Sequence, residues 1–555
     1  MIRPQAHPAL LAELAAQTPP RLVKKLDAEP SVALTWRWHA DGRVETANGE
    51  VVQLVATDGV LRRLDDLICS CLLAPRCFHR LAVLSVLEPD REVESSGAAE
   101  VVSPHEGAVA AALSPSQQAA GALLWQVATS FLQAGGQSCG VVGQGQLLRA
   151  AFACREAGLH RAQAAAIRVG QGARALRAGE PSFSLEVWTE SVAELIQVAY
   201  QLHHLQRCDP LWVGTTRRRY EPVGNLKLWG LFSEPILTAT GYAGVVTWLA
   251  DSRGQVYQLS DVAPGDCERV LQAYRAGTPL PGLSAPHAEI ARARLLVQNA
   301  TASPEGRLGS GQKVKGAVSG PSLWDDEELS LLWKSGTATA SDLLFFQGQV
   351  LGAEREALVV QVQGVPVRLL PPSQDPLPGH DNLGLLARLP GRTFRWIVRL
   401  DPYRARTATA LAVQAEGLES WGGRCNLGCE RMHPSHFTGL SARAPALELP
   451  DDPQPFQELL RGTQRVALAG RGAARESSVL TRSCHSRGQK NAACLWRALV
   501  AAAERGERDL LGHWQPTQAD DFCRRWLALS VYLSAATSHW SRANWGQIER
   551  AKDLG

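Results

Sequence analysis

The feature that most constrains this chain is a knot of cysteine and histidine near its N-terminus: Cys69-x-Cys71 followed by Cys77-x-His79 in DDLICSCLLAPRCFHRLAVLSVL. Four soft or borderline ligands in this order suit one tetrahedral zinc ion, which thiols bind as thiolates after giving up their protons. On a strand or its turn, residues i and i+2 point the same way, so Cys69 and Cys71 can grip a single ion. Inside a regular helix the same pair would diverge by about 200°. Cys77 and His79 are therefore expected where a loop containing Pro75 enters a helix. That helix is predicted from Arg80 to Leu87, with Val83, Val86 and Leu87 on its apolar face and Pro89 ending it. A four-ligand site keeps no open position for a substrate or an activated water, so the expected Zn2+ is structural.

Residues 31–60 read as strands: SVALTWRW alternates around Trp36 and Trp38, HADG turns the chain, and EVVQLVA gives a second β-rich run. Two strands, Cys-x-Cys, a short gap, Cys-x-His and the apolar stretch LAVLSVL closely resemble the SWIM zinc finger. The resemblance covers roughly residues 31–90, and all four ligand positions match. It implies an N-terminal ββα finger that binds DNA or other proteins. The layout is similar to that of the bacterial SWIM zinc-finger proteins with a long uncharacterised C-terminal region. Genes for those proteins often lie beside genes for MoxR-type ATPases and von Willebrand A proteins, which implies an adaptor role in such a complex as an alternative.

At 555 residues the chain is too long for one ordinary core. Its 45% hydrophobic and 20% charged residues are ordinary for a globular protein, and a net charge of +3 does not mark the whole chain as a nucleic-acid binder. The N-terminus lacks the continuous apolar core of a signal peptide, and no apolar run reaches the roughly 18 residues of a membrane span. A cytoplasmic, reducing location is expected, where clustered cysteines are metal ligands before they are disulfides.

The expected fold class is α+β and multidomain: the ββα finger, a helical middle region, a small β-rich, OB-like barrel and a helical C-terminal region. Expected boundaries are 1–90 for the finger, 91–118 for a linker and 119–212 for the helical domain. A β-rich α+β domain follows over 213–300, then a flexible linker over 301–322 (TASPEGRLGSGQKVKGAVSGPS). Residues 323–420 carry five or six short strands at the spacing of a small barrel. A Cys/His loop and helices with Trp496, Trp526 and Trp540 occupy 421–555.

Other strings invite chemistry less strongly. CNLGCERMHPSH offers Cys425, Cys429, His433 and His436, to which Cys484, His485 and Cys494 could add ligands; ordinary loop cysteines are the favoured reading over a second metal site. Gly136-Gln137-Ser138-Cys139-Gly140 spells Gly-x-Ser-x-Gly, but a nucleophile elbow needs a strand before it and here a helical pattern precedes. Gly143-x-Gly145 lacks a third glycine, and GSGQKVKG lacks the lysine-hydroxyl pair of a phosphate loop. No catalytic residue is expected, and no small-molecule substrate is evident.

Arg217, Arg218 and Arg219 precede Tyr220, and Arg392, Arg395, Arg399, Arg404 and Arg406 interleave with Phe394, Trp396 and Tyr403. Cations beside aromatics can hold phosphates and stack bases. Strand alternation, however, puts Phe394, Trp396 and Val398 on one side and Arg395 and Arg399 on the other, which favours a solvated face over a core. The finger itself is not basic, since Glu45, Glu50, Asp65 and Asp66 offset Arg62, Arg63, Arg76 and Arg80. The expected function is therefore a non-enzymatic zinc protein that binds DNA or a protein partner, its remainder acting as a scaffold.

Overall fold

A computed structural model describes residues 3–88, 90, 111–180, 183–205, 207–214, 220–238, 242–278, 280–338, 341–372, 377–402, 404, 406–440, 456–476, 482, 484, 487–508, 514–516 and 519–550. Of the segments read above, most of the 91–118 linker, Arg217 to Arg219, Tyr403 and His485 lie outside them. The chain forms two compact units, Met1–Arg217 with Phe456–Leu533, and Arg218–Pro455 with Ser534–Gly555.

In the first unit, two short helices, Ala9–Gln17 and Pro20–Ala28, precede the β-rich segment. Pro20 opens the second, where a missing N–H costs nothing. Only part of 31–60 is strand, because Val32–Thr35 coils into a 3₁₀ turn. A four-stranded sheet follows in the order Arg37–Trp38, Arg43–Glu45, Val51–Leu54, Leu67–Cys69, and the helix Phe78–Ser85 closes the module. The expected ββα finger is thus enlarged by two helices, by two strands in this sheet, and by the short parallel pair Gln5–Ala6 and Val60–Leu61. Its core of Leu14, Leu26, Val44, Val52, Leu67, Leu81 and Val83 also takes in Val141, from the start of the helix Val141–Glu156. A Cβ on Gly145 would lie 2.8 Å from the Ala12 backbone, so this glycine lets the two helices cross closely.

The helical middle region is as expected: Pro115–Ala134, Val141–Glu156, His160–Ala178 and Leu185–His204. Ser114 and Gln117 form a reciprocal capping box at the first. The C-terminal helices Gln457–Ala469 and Lys490–Glu504, with the first part of Ala519–Arg550, join the same core through Val466, Trp496, Phe522 and Trp526 packed with Leu124, Trp188 and Leu195. The helical C-terminal region thus completes the middle one.

The second unit corrects the expectation of an OB-like barrel as a small domain of its own. Its five-stranded antiparallel sheet is not a closed barrel: the order Val256–Pro264, Tyr242–Ala250, Glu221–Leu237, Ala293–Ala302, Lys315–Pro321 leaves the first and last strands as open edges. A six-stranded sheet runs Val365–Leu370, Ala357–Val362, Leu343–Glu354, Thr393–Leu400, Thr407–Gln414, Arg424–Asn426, and a parallel pairing of Arg368–Leu370 to Thr407–Thr409 joins its first strand to its fifth. Nor is 323–420 a self-contained body. Leu344, Phe346, Trp396 and Val398 face one core, while Leu343, Phe345 and Ile397 face another with Trp229, Phe232 and Trp248 of the five-stranded sheet. A lone small barrel turns its outer face to water. The unbroken apolar run Leu343–Phe346 is instead that of a strand buried on both sides. The segment read as a linker, 301–322, supplies the edge strand Lys315–Pro321, whose solvated face tolerates its Gly, Ser and Lys content.

Candidate metal centre

Cys69 ends the strand Leu67–Cys69, where pairing with Val52 fixes its direction. The Ser70 side chain and backbone bond both backbone groups of Val51 and pin the turn that carries Cys71. Cys77 is the extended N-cap residue of the helix Phe78–Ser85, and its Sγ accepts from the Arg80 N–H at 3.5 Å. His79 is therefore presented from the first helical turn, as the spacing predicts. Cys69 and Cys77 are buried, Cys71 and His79 half-buried, and the four donor atoms all lie within 4.8 Å of one another. Among the described residues no other group of three or more His, Cys, Asp or Glu gathers in this way.

The donors fit a zinc ion. Bonds of about 2.3 Å to sulfur and 2.0–2.1 Å to nitrogen put the corners of a filled tetrahedron about 3.6–3.8 Å apart. The His79 Nδ1 to Cys69 Sγ distance is 3.8 Å. Burial pushes the Cys69 thiol up to about 12, and burial likewise raises Cys77. These two thiols are thus protonated at neutral pH, and capture of the metal must release their protons. The helix N-terminus at Cys77 favours the thiolate once formed. Trp36 stands edge-on to His79 at 5.8 Å, and Lys25 lies 4.6 Å over the Phe78 ring.

Charge pairs tie the module to its neighbours within the same unit. Asp27 accepts from the Val141 N–H at 2.9 Å and faces Arg177 at 3.5 Å, while Arg174 pairs with Glu88 at 2.9 Å. One of the charges counted in the finger's balance is in fact inside: Arg80 is only 4% exposed. Its signal was legible, since a lone arginine interrupts the apolar stretch FHRLAVLS.

The remaining candidates fall to other roles. Cys425 and Cys429 are buried in the second unit, where burial, with Glu430 beside them, holds both thiols well above their ordinary value. His433 is exposed, and its N–H donates to the His436 Nδ1 at 3.1 Å. Glu430 anchors the loop by accepting from Tyr274 Oη at 2.6 Å, Arg292 at 2.8 Å and the Asn426 N–H at 2.8 Å. Asn426 in turn accepts from the Ser233 N–H at 3.0 Å, and Ser233 joins Thr247 and His287 in a buried chain of hydroxyl and imidazole bonds.

The Gly-x-Ser-x-Gly string is a helix end followed by a 3₁₀ turn, with no strand before it. Its glycines serve packing: a Cβ on Gly136 would fall 2.1 Å from the Trp188 ring, and one on Gly140 would strike the Asp27 carboxylate. Ser138 is exposed. Three of the arginines beside aromatics, Arg392, Arg395 and Arg399, are occupied. Arg395 lies 3.9 Å over Trp333 and pairs with Asp325, Arg399 grips Glu234 at 2.7 Å and Asp342 at 3.1 Å, and Arg392 pairs with Glu416 at 3.3 Å. Phe394 and Trp396 are core residues.

No family model matches this chain, and no curated protein matches it. Among the described residues no helix is long and apolar enough to cross a membrane.

Proposed function

We propose that the chain is a non-enzymatic SWIM-type zinc protein whose single Zn2+, held by Cys69, Cys71, Cys77 and His79, is structural and whose work is to bind a partner as a scaffold. The observation that carries this reading is the gathering of four donors, enough to fill the coordination of a tetrahedral zinc ion. The SWIM assignment adds the order and flanks of those ligands. Of the two partner classes, DNA and protein, protein is favoured, because Arg392, Arg395 and Arg399 are already spent on carboxylates. A cation so paired has little left to exchange for phosphate counterions. The adaptor role beside a MoxR-type ATPase and a von Willebrand A protein rests on the resemblance alone.

Metal analysis of the full chain tests the reading: one tightly held zinc per molecule is expected, and Cys77→Ser should lose it. A gel-shift titration of the full chain at low and moderate salt separates the partner classes. No shift is expected; tight binding with a steep salt slope would move DNA ahead of protein.

A further inference from the structure

Among the described residues, the buried cation beside the metal ligands has no anion of its own. Arg80 follows His79 directly, yet its guanidinium is turned inward. Nη1 donates to the Pro75 carbonyl and Nη2 to the Leu64 carbonyl. Nε is buried without a hydrogen-bond partner, and Arg80 forms no ion pair among the described residues. A permanently charged fork in this position is expensive to bury unless something nearby is negative.

The two carbonyls it holds lie on different arms of the site. Leu64 begins the 3₁₀ turn that leads into the Cys69 strand, and Pro75 sits in the loop between Cys71 and Cys77. The backbone N–H of the same residue points at the Cys77 sulfur. One side chain therefore spans the strand arm and the loop arm, while its own main chain caps a ligand. Three thiolates outweigh a divalent ion, so a zinc centre of this donor set would carry net negative charge between the two arms that the guanidinium holds.

We propose that Arg80 is a positioning residue of the zinc site: its fork sets the spacing of the two ligand arms and its charge balances the three thiolates. This rests on the zinc reading above. Outer partners of this kind orient ligands and tune the affinity of the metal they surround. Arginine suits the task better than lysine because its planar fork reaches two acceptors at fixed geometry.

The test measures zinc affinity of the full chain by competition with a chromophoric chelator, for the unaltered protein, Arg80→Met and Arg80→Lys, with Cys77→Ser as control. Arg80→Met is expected to bind zinc about 10–100-fold more weakly. Arg80→Lys, which keeps the charge and loses the fork, should fall between the two. A residue that merely fills space would tolerate methionine, so unaltered affinity in Arg80→Met overturns the proposal. Equal affinity in Arg80→Lys and Arg80→Met overturns the charge-balancing part. Cobalt(II) in place of zinc should keep tetrahedral absorption bands in every folded Arg80 variant, since the four ligands remain; loss of tetrahedral coordination would show that Arg80 holds the site together outright rather than tuning its ligands, and would overturn the positioning role. If far-UV circular dichroism shows that Arg80→Met does not fold, Arg80→Lys decides: affinity equal to the unaltered protein overturns the proposal. The two hypotheses separate cleanly. Zinc retained by Cys77→Ser sinks the zinc reading itself, whereas zinc lost there but held normally by Arg80→Met sinks only the role of Arg80.

Discussion

Two cysteine-bearing segments of this molecule, Cys69 to His79 and Cys425 to His436, look alike on paper and are built for different ends. In the first, four donors converge within 4.8 Å, from a strand end, its turn and a helix start. In the second, the cysteines point into a core, His433 stays outside, and Glu430 is the hub, bonded to Tyr274, Arg292 and Asn426. Ligand-type residues close in sequence make a metal centre only when the backbone aims them at one point. Otherwise they are absorbed into packing and hydrogen bonding.

The largest expected effect sharpens this contrast. Cys77→Ser should remove the zinc and expose residues 3–88 to proteolysis, because structural zinc supplies on the order of 10 kcal/mol to a small module. Cys425→Ala and Cys429→Ala should leave zinc content untouched. A chain that kept its zinc in the first case and lost it in the second would reverse the comparison.

Next in size is the hub of the second segment. Arg292→Met strands the largely buried carboxylate of Glu430, and breaking such a pair typically destabilises by about 3–5 kcal/mol. Chemical denaturation should show that loss in the second unit, with zinc content unaffected. A negligible change would mean that the network is not what holds the loop.

The same network makes a prediction about acid. Burial depresses the imidazole of His287 from 6.5 to about 4, with Asp261 opposing the shift and Arg269 adding to it. The folded chain keeps His287 neutral where the unfolded chain would protonate it. This contribution to stability is therefore whole above about pH 6.5, shrinks as the pH falls, and is gone near pH 4. Its size is about 3 kcal/mol, and His287→Asn should flatten that part of the stability profile.

The smallest effects concern the Gly-x-Ser-x-Gly string. Gly136→Ala must push Trp188 aside and should cost about 1–3 kcal/mol in thermal or chemical unfolding. Ser138→Ala, at an exposed position, should stay within about 0.5 kcal/mol and abolish no activity. An esterase activity lost with Ser138 would overturn the packing interpretation.

The zinc ligands, the entry of Cys77 and His79 into a helix, and the helical middle region were legible because each depends on neighbours a few residues away. Spacing alone sets which side chains can share an ion or a helix face. The extent of the N-terminal module was not legible in this way. Ala9–Gln17 and Pro20–Ala28 are short helices whose place depends on the sheet and on Val141–Glu156, far along the chain. The independence expected of the small β-rich domain was misjudged for a related reason. A run of short strands records turns and alternation but not which strand becomes an edge or what covers the second face of Leu343–Phe346.

The sequence by itself thus determined the chemistry: three thiols and an imidazole in an order that suits one zinc ion, and no local pattern matching a phosphate loop or a nucleophile elbow. The tertiary structure alone decided what the charged and polar residues do. It turned Arg80 inward beside the ligands, spent Arg395 and Arg399 on carboxylates distant in sequence, and set Glu430 among Tyr274, Arg292 and Asn426. A ligand set is local, a matter of a few bond lengths along the backbone. The partner of a buried charge is whichever group the folded chain brings to it, and desolvation makes that choice decisive.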